Sequence, residues 1–519
     1  ACIVEKCFHD KTQSIQGLSM QAKIIKRSIV KQLKKDFPNW RRLPKKKKKE
    51  LARQVLQEAL ARYDSSEEES TVLSELTGTP IPLSGIIPLR DMGEFIEWTT
   101  RCLLRFPLKR WQKHFDDPEL RMIDGLLNDR VLDELLAPSG YTPCMREIFP
   151  HHYVRAELLK ALRYPAMSYR TYCKDVINRL DSKRQRAFLH LPLHKNLHID
   201  HTQLSHFRRK LTTTQLINLT IYMLHLLVQS GKISHPFRIC GIDSTEIAAV
   251  TCTRPLATVT LPKGKKVRIY AELDADCGKR RKKRDKSEYF VGYRLHTLVA
   301  FDAQTGAHYP IVNLVAPGNH HDNLFLPQLV AFAHAMGLDM DIITADEGYL
   351  DTEQNETVYR EYGVRVIAPV STRVHLPEHI DEHTGAVYMN ENCETAMIYL
   401  GRTETGHEFG CNCDDCFYAP CCSQRREIPL DGGLFGQIPD HVEQVHQVRD
   451  TRKHMERYFN LAKHREGLEP LRVKSQHATM AAATFAQMAT LLLEIVETRK
   501  TPKKEEKPIQ LSLCSSRTK

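Results

Sequence analysis

Residues 339–368 read DMDIITADEGYLDTEQNETVYREYGVRVIA, and the fold turns on this stretch. Its first eight residues form a buried apolar strand that ends on Asp346. After Gly348 and Tyr349, helical spacing runs over Thr352–Tyr362, Gly363 supplies the cap, and 364–368 return as a strand. Strand, helix and strand at this spacing form a crossover unit, so the sheet contains parallel strands and the fold class is α/β. Upstream, Phe237-Arg238-Ile239-Cys240-Gly241-Ile242-Asp243 is a short apolar strand, also ending on a carboxylate and followed by Ser244 and Thr245. Residues 289–302 alternate as another strand. Residues 370–440 turn glycine- and cysteine-rich and strand-like, before helices over 441–466 and 476–499.

With 519 residues the chain has room for two to four domains. No uninterrupted apolar run reaches the roughly 18 residues a membrane span needs, and the first ten residues lack a signal-peptide pattern. The expectation is therefore a cytoplasmic protein with no membrane partner. The net charge of +12 is concentrated: residues 1–63 hold 17 Lys and Arg against 5 Asp and Glu, and the remainder holds 58 of each sign. An arm so basic points to a polyanion, because each phosphate contact releases counter-ions; a solubilising tail is the bland alternative. Within the arm, Ala22, Ile25, Ile29 and Leu33 form one helical stripe, and Ala52, Val55, Leu56, Ala59, Leu60 and Tyr63 another. The acidic, serine-rich 64–70 reads as a linker, and 85–235 as mostly helical, including 93–106, 153–162 and 214–231. The basic residues of 205–211 suit either phosphate contact or an exposed face.

Asp243 and Asp346, each at the end of an expected strand, lie where open α/β sheets place ligands. If the strands are neighbours, the like charges require a proton or a bridging cation. A third acid comes from the run 449–463, where helical spacing puts Arg449, Arg452, Glu456 and Lys463 on one arc beside an apolar stripe of Val448, Met455, Phe459 and Ala462. Three hard oxygen donors suit Mg²⁺ or Mn²⁺. Two such ions about 4 Å apart would activate a water or a 3′-hydroxyl for in-line phosphoryl transfer. A strand-end aspartate alone is more often a cap, and a charged helix face more often plain surface; the three elements in order favour the metal reading.

These motifs resemble those of the DDE transposases of bacterial insertion sequences, a ribonuclease H-like family. Gly241-Ile242-Asp243-Ser244-Thr245 is similar to its first-aspartate motif and Phe290-Val291-Gly292-Tyr293-Arg294-Leu295-His296 to the strand that follows. Ala345-Asp346-Glu347-Gly348-Tyr349 is similar to the second-aspartate motif, and Arg452-x3-Glu456-x6-Lys463 to the tyrosine-arginine-glutamate-lysine signature, with Arg449 at the tyrosine position. The similarity covers roughly 140–495. It implies Mg²⁺- or Mn²⁺-dependent cleavage at transposon ends and strand transfer to target DNA. Asp243, Asp346 and Glu456 would be the metal ligands, Arg452 and Lys463 phosphate contacts, and Arg449 a generic cation. It also implies double-stranded DNA as partner and a homodimer at synapsis. Family members that form DNA hairpins use a tryptophan from the insertion; here the tryptophans are Trp40, Trp98 and Trp111, all upstream of it, so that route is not expected.

Lys279-Arg280-Arg281-Lys282-Lys283-Arg284, between two expected strands, would clamp DNA over the site or form an exposed hairpin. In Asn319-His320-His321-Asp322, Asp322 reads as a helix cap or a group behind the metal ligands. Cys411, Cys413, Cys416 and Cys421, with Cys422, Cys393 and His407 nearby, could hold a structural zinc or stand as reduced thiols among the 15 cysteines. The expected organisation is a basic helical DNA-binding arm (1–70), a helical N-terminal domain (85–235), a ribonuclease H-like domain (236–369) interrupted by a cysteine-rich β insertion (370–440), its C-terminal helices (441–500) and a polar tail (501–519). Two alternatives to a transposase stay open: an inactive DNA-binding relative or regulator, and a ribonuclease H-fold nuclease without strand transfer.

Overall fold

The computed structural model describes residues 30–497 apart from 31, 64–82, 102–116, 138–147, 180–182, 192–196, 232, 234–236, 252, 261–265, 282–286, 303–306, 350, 369–379, 382–385, 391–392, 394, 412–424 and 430–451. Helices come first: α1 (Lys45–Tyr63), α2 (Leu89–Arg101), α3 (Pro118–Leu126), α4 (Asp129–Leu136), α5 (Pro150–Arg163), α6 (Tyr169–Tyr172), α7 (Lys183–Phe188), α8 (His201–Lys210) and α9 (Thr213–Gln229). The strands follow as β1 (Ile239–Ala248), β2 (Ala257–Thr260), β3 (Lys266–Ile269), β4 (Asp276–Arg281), β5 (Ser287–Phe301) and β6 (His308–Pro317). Then come α10 (Leu326–Ala335), β7 (Ile342–Thr344), α11 (Thr352–Tyr362) and β8 (Arg365–Ile367). A separate three-stranded sheet holds β9 (Ile398–Arg402), β10 (Gly406–Gly410) and β11 (Arg425–Pro429), and the chain closes with α12 (Lys453–Asn460) and α13 (Gln476–Val496).

The main sheet is mixed. β1 pairs antiparallel with β5, which also pairs antiparallel with β4 and β6; on its other side β1 runs parallel to β7, and β7 parallel to β8. The crossover unit forms as its sequence indicates: Asp351 caps α11 by accepting from Gln354 N–H, and Gly363 ends it at φ 69°, a conformation glycine adopts without strain.

One hydrophobic core runs through helices and sheet, from Met92 and Tyr153 through Ile239, Leu298 and Ile343 to Met455 and Leu491. α13 lies at its centre. By length and composition it could cross a membrane, but 78% of its apolar window is buried inside the protein, as befits a core helix. A buried network ties α13 to the sheet: Asn313 Nδ2 donates to Gln487 Oε1 at 2.9 Å and to Tyr458 Oη at 3.3 Å, while Thr297 Oγ1 donates to Asn313 Oδ1 at 2.7 Å. Every member is buried, so satisfying these groups from one another fixes how α12 and α13 seat on β5 and β6.

The basic arm is not free-standing over its described part. Leu33, Trp40, Ala52 and Val55 form a second core with Leu256, Val267, Ile269 and Leu273 around the β2–β3 hairpin, and Trp40 Nε1 donates to the Ala271 carbonyl at 3.3 Å. The apolar stripe of α1 therefore docks on the sheet domain. Ala22, Ile25 and Ile29 lie outside the described residues, as do the side chains of Leu56, Ala59, Leu60 and Tyr63.

α8 is a helix in its own right, bent 97° from α9. Each has its own capping box, Asp200 with Gln203 and Thr212 with Gln215. This corrects one expectation from the sequence: Arg208 does not face phosphate, being 3% exposed and paired to the equally buried Glu157.

Candidate active site

Strand register brings the two aspartates together. Gly241 is the last residue of β1 paired with β7, opposite Thr344. Two residues further along each chain, on the same face, come Asp243 and Asp346. Contrary to the strand-end expectation, Asp243 lies inside β1, which continues to Ala248 because β5 keeps pairing with it after β7 has turned away. Asp243 thus marks the end of the parallel pairing, not of the strand.

Alternation along β1 puts Gly241 and Asp243 on the face covered by α12. A Cβ at Gly241 would lie 2.8 Å from Met455 Sδ and 2.9 Å from the Phe301 ring, so only glycine lets α12 approach this closely. Gly241→Val should cost about 1–3 kcal/mol by overpacking, measured by urea unfolding, with parallel loss of whatever α12 contributes to the site. Met455 and Tyr458 anchor that helix, each no more than 1% exposed.

Arg452 stands at the N-terminus of α12, makes no capping bond there, and reaches both aspartates, with Nη2 3.6 Å from Asp243 Oδ2 and 3.5 Å from Asp346 Oδ2. Burial pushes the Asp243 carboxyl up to about 6; Arg452 and the Ser244 N–H pull against that shift, and the neighbouring Asp346 and Asp322 carboxylates add to it. Ser244 N–H donates to Asp243 Oδ1 at 2.7 Å. Behind it, Ser244 Oγ donates to Asp322 Oδ1 at 2.9 Å, and Arg294 Nη1 donates to both Asp322 oxygens at 3.1 Å. Asp322 therefore serves as a brace for the Asp243 segment, not as a cap. His296, fully buried and held neutral by that burial, exchanges a hydrogen bond with Tyr349 Oη at 3.1 Å.

Arg294 was not singled out from the sequence. Its signal is nonetheless there: Arg294 and His296 alternate as polar residues in an otherwise apolar strand, and the register sets them opposite Glu246 and Ser244.

The run 449–463 is not one continuous α-helix. α-Helical geometry covers Lys453–Asn460, and a π-helical turn, Leu461–Arg465, follows. The wider turn rotates Lys463 away from the arc expected for uniform helix. Lys463 is 8% exposed, its Nζ lying 3.6 Å from Glu469 and 3.9 Å from Glu246. Glu456 is exposed, one turn beyond Arg452 on the same side of α12. Among the described residues no group of three His, Cys, Asp or Glu side chains is close enough to hold a metal ion. Asp243 and Asp346 nevertheless converge on one cationic group, and two carboxylates offer the hard oxygen donors that suit Mg²⁺ or Mn²⁺.

The remaining candidates divide by location. Lys279 is exposed on β4, paired across from the exposed Tyr289, while Lys282, Lys283, Arg284 and the side chains of Arg280 and Arg281 lie outside the described residues. Arg449 lies outside them too, as do Cys413, Cys416 and Cys421; Cys411 and Cys393 are half-buried free thiols.

Residues 235–492 match the family described as transposase DDE domain. No curated protein matches the chain. Among solved structures, the chain is similar to a piggyBac transposase, seen by cryo-electron microscopy in a synaptic complex with hairpin DNA. The two are 11% identical over 78% of this chain and 84% of that one, with a TM-score of 0.26.

Proposed function

We propose, on the match of residues 235–492 to the transposase DDE-domain family, that the chain is a transposase that cleaves DNA at transposon ends and joins them to target DNA. The observation that carries this reading is the pairing of Asp243 and Asp346 about a shared cationic position. The sheet supports a ribonuclease H-like assignment: β6, β5 and β1 are antiparallel neighbours, β7 and β8 follow parallel to β1, α10 precedes β7 and α11 precedes β8, and β4 adds to the sheet beside β5.

In this reading Asp243 and Asp346 would hold one or two Mg²⁺ or Mn²⁺ ions, and Glu456, which does not lie with them among the described residues, would join as third ligand when the ion binds. A divalent ion bound there supplies activation of a water or 3′-hydroxyl and stabilises the leaving oxygen. Ser244 N–H and the Asp322–Arg294 brace hold Asp243 in one orientation, as groups behind metal ligands commonly do. Arg452 takes the phosphate beside the scissile bond, and Lys463 supports it from the π-turn. The arm and the basic residues Lys279–Arg284 bind the duplex, in a homodimer that pairs two ends in the cytoplasm.

The test is to incubate purified protein and Mn²⁺ with pre-cut transposon ends and a plasmid. Joined products support the proposal. Cleavage of intact ends with no joining would favour the nuclease reading, and binding with no nicking the inactive relative.

A pH dependence follows from Asp243. Its carboxyl takes a proton near pH 6 and loses a metal donor when it does. Mn²⁺ affinity should rise as pH increases through about 6, with proton release on binding seen by calorimetry in buffers of different ionisation enthalpy. A pH-independent affinity between 5 and 8 would contradict this.

A further inference from the structure

Resting on the metal-site reading above, we propose that Arg452 is an exchangeable counter-ion: it neutralises Asp243 and Asp346 while no divalent cation is bound, and cation binding releases it toward the DNA phosphate. The guanidinium lies against both carboxylates, at 3.6 and 3.5 Å, at the place where a bridging cation belongs. Neither contact is short enough to be a well-formed hydrogen bond, which runs to about 3.2 Å. Arg452 Nε is buried with no partner among the described residues.

An arginine built to stay on a carboxylate engages it through parallel N–H···O bonds. Arg402 sits on Glu356 by true hydrogen bonds, its Nη2 donating to both carboxylate oxygens at 2.9 and 3.1 Å. Among the described residues Arg452 instead meets its two carboxylates only at these longer distances, held by charge alone. Its helix does not depend on it, because Met455 and Tyr458 carry the packing of α12. Its side chain is 34% exposed and so has a way out to solvent.

Two cations cannot share that space. A divalent ion takes its oxygen ligands at about 2.0–2.1 Å for Mg²⁺, and its charge would repel a guanidinium held on the same two carboxylates. Displaced outward, the planar fork becomes free for a phosphate, which it recognises better than a point charge does. Metal binding and phosphate binding would then be linked, each strengthening the other.

Mn²⁺ binding to the full chain without DNA, followed by electron paramagnetic resonance, tests this. Arg452→Gln and Arg452→Ala should each bind Mn²⁺ about three- to tenfold more tightly than the parent, the scale of two partly exposed ion pairs removed as competitors. Asp243→Asn should lose the binding. In the unaltered chain, saturating Mn²⁺ should raise the modification of Arg452 by phenylglyoxal, read by peptide mass spectrometry; this arm holds even if a variant misfolds. Equal or weaker affinity in both Arg452 variants, with binding still lost in Asp243→Asn, overturns the counter-ion proposal and leaves the metal site standing. Unchanged phenylglyoxal reactivity also overturns it. Mn²⁺ binding that survives Asp243→Asn overturns both.

Discussion

Asp243→Asn should lower Mn²⁺-dependent cleavage of end-containing DNA by on the order of 10³-fold or more, since loss of a mere supporting group behind a metal ligand already costs about 10- to 100-fold. Asparagine preserves the shape of the side chain and can still accept from Ser244 N–H, so the loss would report charge and not folding. Asp346→Asn should behave the same way, because Asp346 lies two residues past the last β1–β7 pair, as Asp243 does, and meets the same guanidinium. Asp322→Asn acts only through Ser244 and Arg294 and should fall in the smaller range. Stability separates the two explanations of an inactive variant. The folded-state carboxyl of Asp243 lies above its unfolded value near 3.9, so the stability it contributes is present below that value and lost as pH rises through about 6. Removing the charge removes that loss. At pH 8 in EDTA, Asp243→Asn should therefore melt no lower than the parent in a calorimeter, while DNA binding persists. Full cleavage by Asp243→Asn would end the assignment of this residue to the chemistry.

The crossover unit was legible because both of its strands, its helix and its glycine cap are local features, and local propensity and packing agreed there. Asp243 and Asp346 were legible for a related reason: Asp243 lies in an apolar strand and Asp346 two residues past the end of another, so strand alternation indicates where both fall. The length of β1 was not, since the apolar run ends at Asp243 and the polar Ser244, Thr245 and Glu246 become strand only by pairing with β5, a partner some 50 residues away. The π-turn after α12 also escaped, because Leu461–Arg465 carries no glycine or proline to mark a change of helical period. Arg208 looked like surface among its basic neighbours; Glu157, from a different helix, and the Tyr169 ring 4.0 Å from its guanidinium make its burial tolerable. The docking of the arm on the β2–β3 hairpin likewise rests on contacts between distant segments, which periodicity does not encode.

Arg155→Met should cost about 3–5 kcal/mol, the largest stability loss expected of a single substitution here, because it would strand buried carboxylates. Arg155, on α5, is fully buried: Nη1 donates to Asp124 Oδ1 at 2.7 Å and to the Phe188 carbonyl at 3.2 Å, Nε to Asp129 Oδ1 at 2.6 Å, and Nη2 to the Leu127 carbonyl at 3.2 Å. One side chain thus ties α3, α4 and the end of α7 to α5, which in turn packs on α13 beneath the sheet. His190 closes the same cluster, with Nε2 2.8 Å from Asp124 and Nδ1 on Asp129. Burial alone would raise the Asp129 carboxyl, yet Arg155 and then the His190 hydrogen bond hold it well below the usual range. Burial and Arg155 oppose a charge on His190, but its bonds to Asp124 and Asp129 prevail and raise its pKa. The signs set the window: the Asp129 contribution is present above about 3.9 and lost as pH falls below it, whereas the His190 contribution is present below about 6.5 and lost as pH rises through its folded value. With Arg155 gone, His190 becomes the remaining cation facing both aspartates and should titrate higher still, visible in its imidazole proton shifts. The penalty of Arg155→Met, measured by urea unfolding, should therefore be smaller at pH 6, where His190 is charged, than at pH 9. An equal penalty at both would mean that the imidazole does not share the load of these carboxylates.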